Sequence, residues 1–102
     1  MKRKDKYKNL KHKIQEIVNR HDILGLLELG APKDEYNMET QKIIAGLKTC
    51  PNQTAVQYLI YKIFVDSFGK TSAEDIKNYE TMAKDIYTSY LNSNARSKIK
   101  DV

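Results

Sequence analysis

The chain has 102 residues, of which 40% are apolar and 30% charged, and glycine and proline together occupy only six positions. This composition excludes collagen-like and low-complexity chains, and the length predicts one domain, residues 1–102, with a single core. No apolar run reaches the roughly 18 residues of a membrane span, and no apolar stretch follows the charged N-terminus as in a signal peptide. Cys50 is the single cysteine, so we expect a cytoplasmic protein without an internal disulfide.

The first predicted helix carries one apolar stripe, because its apolar residues recur at intervals of three and four. The stripe consists of Tyr7, Leu10, Ile14, Ile17 and Val18. Gly25, Gly30 and Pro32 then interrupt an apolar cluster that includes Leu29. We predict a short helical turn capped by Asp22, followed by an irregular, partly buried connection that extends to Tyr36.

Three further helices are predicted beyond this connection. One begins near Asn37, with Tyr36 and Met38 packing at its start, and it ends before Pro51. The next runs from Gln53 to Phe68, with Asn52 as its N-cap and Gly69 as its C-terminal stop. The last opens with a capping box, either Thr71 with Glu74 or Ser72 with Asp75, and residues 93–102 form a frayed tail. The predicted fold is all-α, a small four-helix bundle-like domain with a short extra turn between helices 1 and 2.

The Gln53 to Phe68 helix is predicted to be the centre of this domain. Its polar residues are scattered around the helical wheel and form no solvent-facing stripe, so the helix requires cover on two sides. The remaining helices are short, and a second copy of the chain or another protein is therefore expected to cover part of it. Tyr58 and Tyr61 are the predicted contacts for such a homodimer or partner.

Charge is distributed unevenly along the chain. Residues 1–13 contain seven basic residues and one acidic residue, a net charge of +6, whereas residues 14–95 carry −3. A basic arm of this kind is typical either of a solubilising terminus or of a segment that binds nucleic acid through phosphates. The nucleic-acid alternative assigns binding to Lys2, Arg3, Lys4, Lys6, Lys8, Lys11 and Lys13, of which residues 1–6 form the arm proper.

An acidic cluster surrounds the connection and the start of the second helix. Its members are Glu28, Asp34, Glu35 and Glu39. Acidic residues at a helix start are stabilised by the helix dipole. The alternative is a surface for a basic protein partner, with Tyr36 as its aromatic anchor. We favour a non-enzymatic protein-binding module, in a specific version an immunity-type inhibitor that occludes a toxin.

Residues with catalytic or metal-binding chemistry are few, so we expect no enzyme activity, no cofactor and no metal site. Cys50 has no histidine near it in the sequence, and His12 with Glu16 supplies only two ligands where zinc requires three or four. His21 beside Asp22 is interpreted as a contact at the end of the first helix rather than as a catalytic pair.

The middle of the chain contains a distributed pattern, made of the run from Asp22 to Leu27, the run from Gly30 to Pro32, and a set of single positions further along the chain. These positions are Asp34, Glu35, Tyr36, Glu39, Phe64, Phe68, Gly69, Tyr79, Ala83 and Ile86. The pattern resembles that of the YugE-like family of small bacterial helical proteins of unknown function, with Ile23 where the family has proline. The resemblance spans roughly residues 14–88 and implies a compact helical domain without an assigned activity.

Overall fold

The computed structural model describes residues 2–93, with side chains described from residue 9 onward. The predicted tail after Ser93 lies outside these residues. Five α-helices and one 3₁₀ helix make up the described chain, which contains no strand. The helices are α1 (Lys2–His21), α2 (Asn37–Leu47), α3 (Gln53–Phe68), α4 (Lys70–Ala73) and α5 (Glu80–Leu91), with the 3₁₀ helix Ile76–Tyr79 before α5. The all-helical class predicted from the sequence is confirmed.

The boundaries of α3 follow from the residues that flank it. The side chain of Asn52 accepts a hydrogen bond from the backbone N–H of Ala55 at 2.9 Å, which satisfies one of the unpaired donors of the first turn. Gly69 ends the helix with a φ of 91°, and its N–H donates to the carbonyl of Val65. Because side chains strongly disfavour this φ, glycine is the residue that stops the helix here. Both predicted boundaries of α3 are confirmed.

The predicted start of the last helix is wrong. Thr71 and Ser72 lie inside the one-turn helix α4. Glu74 follows with a φ of 62°, which ends this helix. Asp75 provides the actual cap, since its carboxylate accepts from the N–H of Lys77 at 3.1 Å. The extra short helix therefore lies between α3 and α5 and not between the first two long helices.

The apolar stripes of the four long helices, α1, α2, α3 and α5, form the core. Residues of α1, α2, α3 and α5 contribute to one cluster, among them Ile14, Val18, Ile43, Leu47, Val56, Ile60, Phe64, Met82 and Ile86, each with an exposed fraction of 1% or less. Phe64 is its aromatic centre, with ring centroids 5.8 Å from Tyr36 and 5.7 Å from Tyr79. The predicted stripe of α1 is buried from Leu10 to Val18, while the side chain of Tyr7 lies outside the described part.

The solvent-facing surface of α3 differs from the prediction. Four of its exposed residues, Thr54, Tyr58, Lys62 and Asp66, recur every four positions, which places them in one stripe along the helix, and Ser67 is exposed beside Asp66. The other faces pack against α2, α4, α5 and the 3₁₀ helix. The expectation that α3 lacks a polar face is wrong, whereas a contact with a second copy or another protein through Tyr58 and Tyr61 stays a prediction.

Candidate partner-binding site

The connection between α1 and α2, residues 22–36, is organised by Asp22. The N–H of Asp22 continues α1 with a hydrogen bond to Val18, but its φ of 42° turns the chain out of the helix. Its carboxylate then accepts the N–H of Leu27 through Oδ1 and the N–H of Glu28 through Oδ2, both at 3.0 Å. Asp22 therefore closes the turns of the connection, but the prediction that it caps a short helical turn is wrong, because these turns are not a helix.

Tyr36 also binds Asp22 and the backbone of the connection. Its hydroxyl donates a 2.6 Å hydrogen bond to Oδ1 of Asp22 and accepts a longer one, 3.4 Å, from the N–H of Leu26. The ring is fully buried against Phe64 and Phe68. A hydrogen bond to a carboxylate is shorter and stronger than one between neutral groups. The connection is thus tied both to the end of α1 and to the aromatic core.

The pKa values of the two partners shift in the directions that this bond requires. Burial raises the pKa of the Tyr36 hydroxyl well above its ordinary value, and the hydrogen bond to Asp22 adds to that rise. Burial alone would also raise the pKa of Asp22, but the hydrogen bonds from Tyr36, Leu27 and Glu28 together outweigh it and hold that pKa below its usual value. Asp22 is consequently a carboxylate, and Tyr36 a neutral donor, at neutral pH.

Backbone hydrogen bonds fix the remainder of the connection. Leu29 donates to Gly25, Gly30 donates to Leu27, and Ala31 donates to Leu26. The amide of Asn19 on α1 donates to the carbonyl of Lys33 at 3.1 Å. These bonds restrict the backbone conformations of the segment, which lowers the entropy lost on binding.

The side chains that the connection presents are acidic and apolar. Leu29 is 83% exposed, and Met38 in the first turn of α2 is 61% exposed. Glu28, Asp34 and Glu35 are also exposed. We call these five residues the acidic surface. Residues 28–38 carry three exposed acidic side chains and one exposed basic side chain, that of Lys33, a net charge of −2.

Two predicted members of the acidic cluster are not part of this surface. Tyr36 is fully buried, so the expectation that it is an exposed aromatic anchor is wrong, and its contacts with the core and Asp22 explain why. Glu39 is only 6% exposed, and within the described part of the chain its Oε1 has no hydrogen-bond partner. Met38 was expected to pack at the start of α2 but is exposed instead, and Leu29 of the predicted apolar cluster is exposed as well.

The two tyrosines proposed on α3 differ in accessibility. Tyr58 is 58% exposed on the polar stripe of the helix. Tyr61 is partly buried and packs edge-on against the ring of Tyr79, with centroids 5.7 Å apart. Tyr79 is fully buried and donates a 2.8 Å hydrogen bond to the carbonyl of Ala73, and burial raises its pKa to about 12. Only Tyr58 presents most of its side chain to solvent.

Basic residues of α1 line two shallow grooves on either side of that helix. Lys11 and His12 border a groove of about 400 Å³ together with Lys33 and Asp34 from the connection. On the other side, Lys13 and Arg20 border a groove of about 420 Å³, and α5 contributes Lys84, Asp85, Thr88 and Ser89 to it. The side chains of Lys2, Arg3, Lys4, Lys6 and Lys8 lie outside the described part of the chain, although the backbone from Lys2 onward belongs to α1.

The residues with catalytic potential make ordinary structural contacts. Nε2 of His21 lies 2.9 Å from Oδ2 of Asp85, which Arg20 also contacts at 3.4 Å, so His21 joins α1 to α5 and does not pair with Asp22. The partly buried Cys50 thiol donates to the carbonyl of Gly46, and burial raises its pKa. A raised pKa disfavours the reactive thiolate. Among the described residues, no group of three or more metal-ligating side chains comes together.

Neither models of known protein families, nor curated proteins, nor solved structures give a match to this chain. The resemblance to the YugE-like family therefore stays a prediction. In the part of the chain with described coordinates, none of the helices has the length and apolar character needed to cross a bilayer. What the protein does has to be argued from its own geometry.

Proposed function

We propose that this chain is a non-enzymatic, cytoplasmic protein-binding module that recognises a basic protein through the acidic surface. The observation that carries the proposal is the 83% exposure of Leu29 on a backbone held by Asp22. We further propose that the long helices form a bundle-like scaffold that supports the connection. The YugE-like resemblance adds only a helical fold to this proposal.

Exposure of a leucine is common on protein surfaces and does not by itself indicate a binding site. Leu29 differs in its setting, because it follows the exposed Glu28 in a turn closed by hydrogen bonds. An apolar side chain on a preorganised loop is suited to fill a pocket, since little conformational freedom remains to be lost. Surrounding carboxylates increase the association rate with a positively charged partner and disfavour acidic ones.

An immunity-type inhibitor is the specific version of this proposal. Such a protein needs a charged surface with an apolar anchor that covers the working site of its target, and it needs no chemistry of its own. The neighbouring genes test this version directly. A toxin reading frame beside the gene would support it, whereas a housekeeping operon would contradict it.

Affinity capture from the native cell, with the purified full chain as bait, tests the binding surface. The test bait carries Leu29→Ser, Glu28→Gln and Glu35→Gln, whose side chains make no hydrogen bonds within the described part of the chain. The control bait carries Tyr58→Ser, Glu16→Gln and Glu80→Gln, which remove an equal charge and another exposed aromatic or apolar group. We expect basic proteins captured by the wild type and the control to be lost with the test bait. Loss with the control bait alone would move the site to Tyr58 on α3.

Nucleic-acid binding through α1 is a second candidate function, favoured by the positions of Lys11 and Lys13 on opposite sides of the helix. Each borders a groove with further cations, Lys33 of the connection on one side and Arg20 of α1 with Lys84 of α5 on the other. Several cations on one surface can contact successive phosphates, and the binding then weakens steeply with salt.

Glutamine substitutions test this candidate better than truncation, because Leu10 is 7% exposed and removal of residues 1–13 would damage the core. Lys11→Gln with Lys13→Gln should reduce the slope of log affinity against log salt for duplex DNA by about 2 if both contact phosphates. An unchanged slope would show that these lysines do not carry any DNA binding that is observed. Lys42→Gln on α2 with Lys48→Gln at the C-cap of that helix is the matched control.

A further inference from the structure

The exposed side of α1 has polar residues along its middle and a lysine on each flank. Successive residues of an α-helix are about 100° apart around its axis, so Lys11 and Lys13 lie about 100° to either side of His12. Glu16 follows one turn later and lies within about 40° of His12 around the helix. Ile14, on the opposite side, is fully buried. We call His12 and Glu16, which are both exposed, the crest of α1.

Each flank of α1 borders a groove to which another element adds a lysine. On one side, Lys33 of the connection lines the same groove as Lys11. On the other side, Lys84 of α5 lines the same groove as Lys13. Within the described part of the chain, none of these four lysines forms an ion pair. Their ammonium groups are therefore available to an anionic partner.

Acidic residues also border the two grooves but do not cancel their positive charge. Asp34 lies in the first groove with two lysines, which leaves a formal net charge of +1. In the second groove, three cations oppose Glu16 and Asp85, again a formal net charge of +1. The carboxylate of Asp85 is already bound by His21 and Arg20. The exposed crest is thus flanked by a cationic groove on each side.

The width of a helix and the residues around α1 favour duplex DNA over other nucleic acids. An α-helix with its side chains is about 10–12 Å across, and the major groove of B-form DNA is about 12 Å wide with a phosphate backbone along each edge. The major groove of an RNA duplex is too narrow for side chains to read. Single strands are bound on aromatic side chains, and among the described residues none that borders either groove is aromatic.

We propose that α1 enters the major groove of duplex DNA. Lys11 and Lys33 contact phosphates of one strand, and the two lysines of the other groove contact phosphates of the opposite strand. The crest then faces the edges of the base pairs, where the carboxylate of Glu16 can accept a hydrogen bond from the amino group of cytosine. The inference rests on the second candidate function, nucleic-acid binding through α1, and it names the nucleic acid and the way in which the helix binds it.

Salt titration of duplex DNA binding by the full chain tests the contacts made from outside α1. Lys33→Gln with Lys84→Gln should reduce the slope of log affinity against log salt by about 2, because each lysine contacts one phosphate. The control, Lys42→Gln with Lys48→Gln, should leave the slope unchanged. An unchanged slope for the variant of Lys33 and Lys84 would overturn the inference.

The variants of α1 itself separate this failure from that of the second candidate function. If Lys11→Gln with Lys13→Gln reduces the slope while Lys33→Gln with Lys84→Gln does not, α1 binds nucleic acid but does not lie in the major groove with both flanks on phosphates. If neither pair changes the slope, or the wild type does not bind duplex DNA at all, both proposals fail.

Methylation by dimethyl sulfate shows which groove of the duplex α1 occupies. This reagent methylates guanine at N7, which lies in the major groove, and adenine at N3, which lies in the minor groove. When the wild type saturates a short duplex, guanine N7 should be protected and adenine N3 should remain reactive. Protection of adenine N3, or of neither position, would overturn the inference.

Competition with other nucleic acids of the same sequence tests the choice of duplex DNA. An RNA duplex and a DNA single strand should each require a higher concentration than the DNA duplex to displace half of a labelled DNA duplex. Displacement by either competitor at an equal or lower concentration would overturn the inference.

Discussion

Two junctions of the molecule are each built from an aspartate and a buried tyrosine, but the tyrosine hydroxyl meets a different acceptor in each. Between α1 and α2, Tyr36 donates to the carboxylate of Asp22. Between α4 and α5, Tyr79 donates to the carbonyl of Ala73, while Asp75 caps the 3₁₀ helix separately. The first junction therefore depends on a charged hydrogen bond, and the second on a neutral one.

This difference accounts for what each junction presents to solvent. A carboxylate accepts several donors at once, and Asp22 uses both oxygens to hold backbone N–H groups of a long connection. The connection can then expose Leu29 and its acidic neighbours without unfolding. The second junction is short, and its tyrosine binds a single carbonyl between two helices. Substitutions of the two tyrosines and the two aspartates test this difference.

The largest effect is expected for Tyr36→Ala, which removes a fully buried ring as well as the hydroxyl. Loss of a buried aromatic side chain costs about 3–5 kcal/mol of unfolding free energy. Urea denaturation measures this loss, and Tyr58→Ala, at an exposed position, should change stability by no more than about 0.5 kcal/mol. A small loss for Tyr36→Ala would mean that Tyr36 is not the buried link between connection and core.

Removal of each hydroxyl alone is expected to have unequal effects. Tyr36→Phe withdraws a donor from a carboxylate and should cost about 1.5–3 kcal/mol, whereas Tyr79→Phe removes a neutral bond and should cost about 0.5–1.5 kcal/mol. The same denaturation experiment applies to both variants. Equal costs would contradict the distinction between a charged and a neutral bond.

Acid should weaken the first junction selectively. The pKa of Asp22 is lower in the folded chain than its ordinary value of 3.8, so the folded state binds this proton less readily than the unfolded state. The contribution of Asp22 is fully present above about pH 4 and is lost as the pH falls through the folded pKa. Asp22→Asn should lower stability at pH 7 and flatten its decline in that acidic range. A parallel decline in wild type and variant would contradict this assignment.

The smallest effect is expected for Asp75→Asn. Asparagine retains an oxygen that can accept from Lys77, and asparagine and aspartate are comparable N-caps. The unfolding free energy, measured by urea denaturation at pH 7, should change by no more than about 0.5 kcal/mol. A loss as large as that of Asp22→Asn would show that the two aspartates act alike.

The long helices could be predicted from the sequence because their signals are local. Asn52 and Gly69 mark the ends of α3, and the spacing of Leu10, Ile14 and Val18 defines the buried stripe of α1. Such patterns depend on neighbours three or four residues away and require no knowledge of the tertiary structure.

The predictions were wrong for side chains whose positions depend on residues that are distant in the sequence. Tyr36 lies among acidic residues in the sequence, which suggested exposure, but its position is set by Asp22, Phe64 and Phe68. The exposure of Leu29 follows from the turns that Asp22 closes, and the pairing of His21 with Asp85 spans 64 positions. The role of Asp22 in closing the turn after α1 could be predicted, but the donors whose hydrogen bonds it accepts could not.

Amide hydrogen exchange at Leu27 and Glu28 tests most directly whether the Asp22–Tyr36 pair holds the connection. Both N–H groups donate to the carboxylate of Asp22, so they should be protected in the wild type and should exchange faster in Tyr36→Phe. In Tyr79→Phe, the ratio of their exchange rates to those of core amides should remain that of the wild type. Exchange of both amides at the rate of an unstructured chain in the wild type would contradict the account.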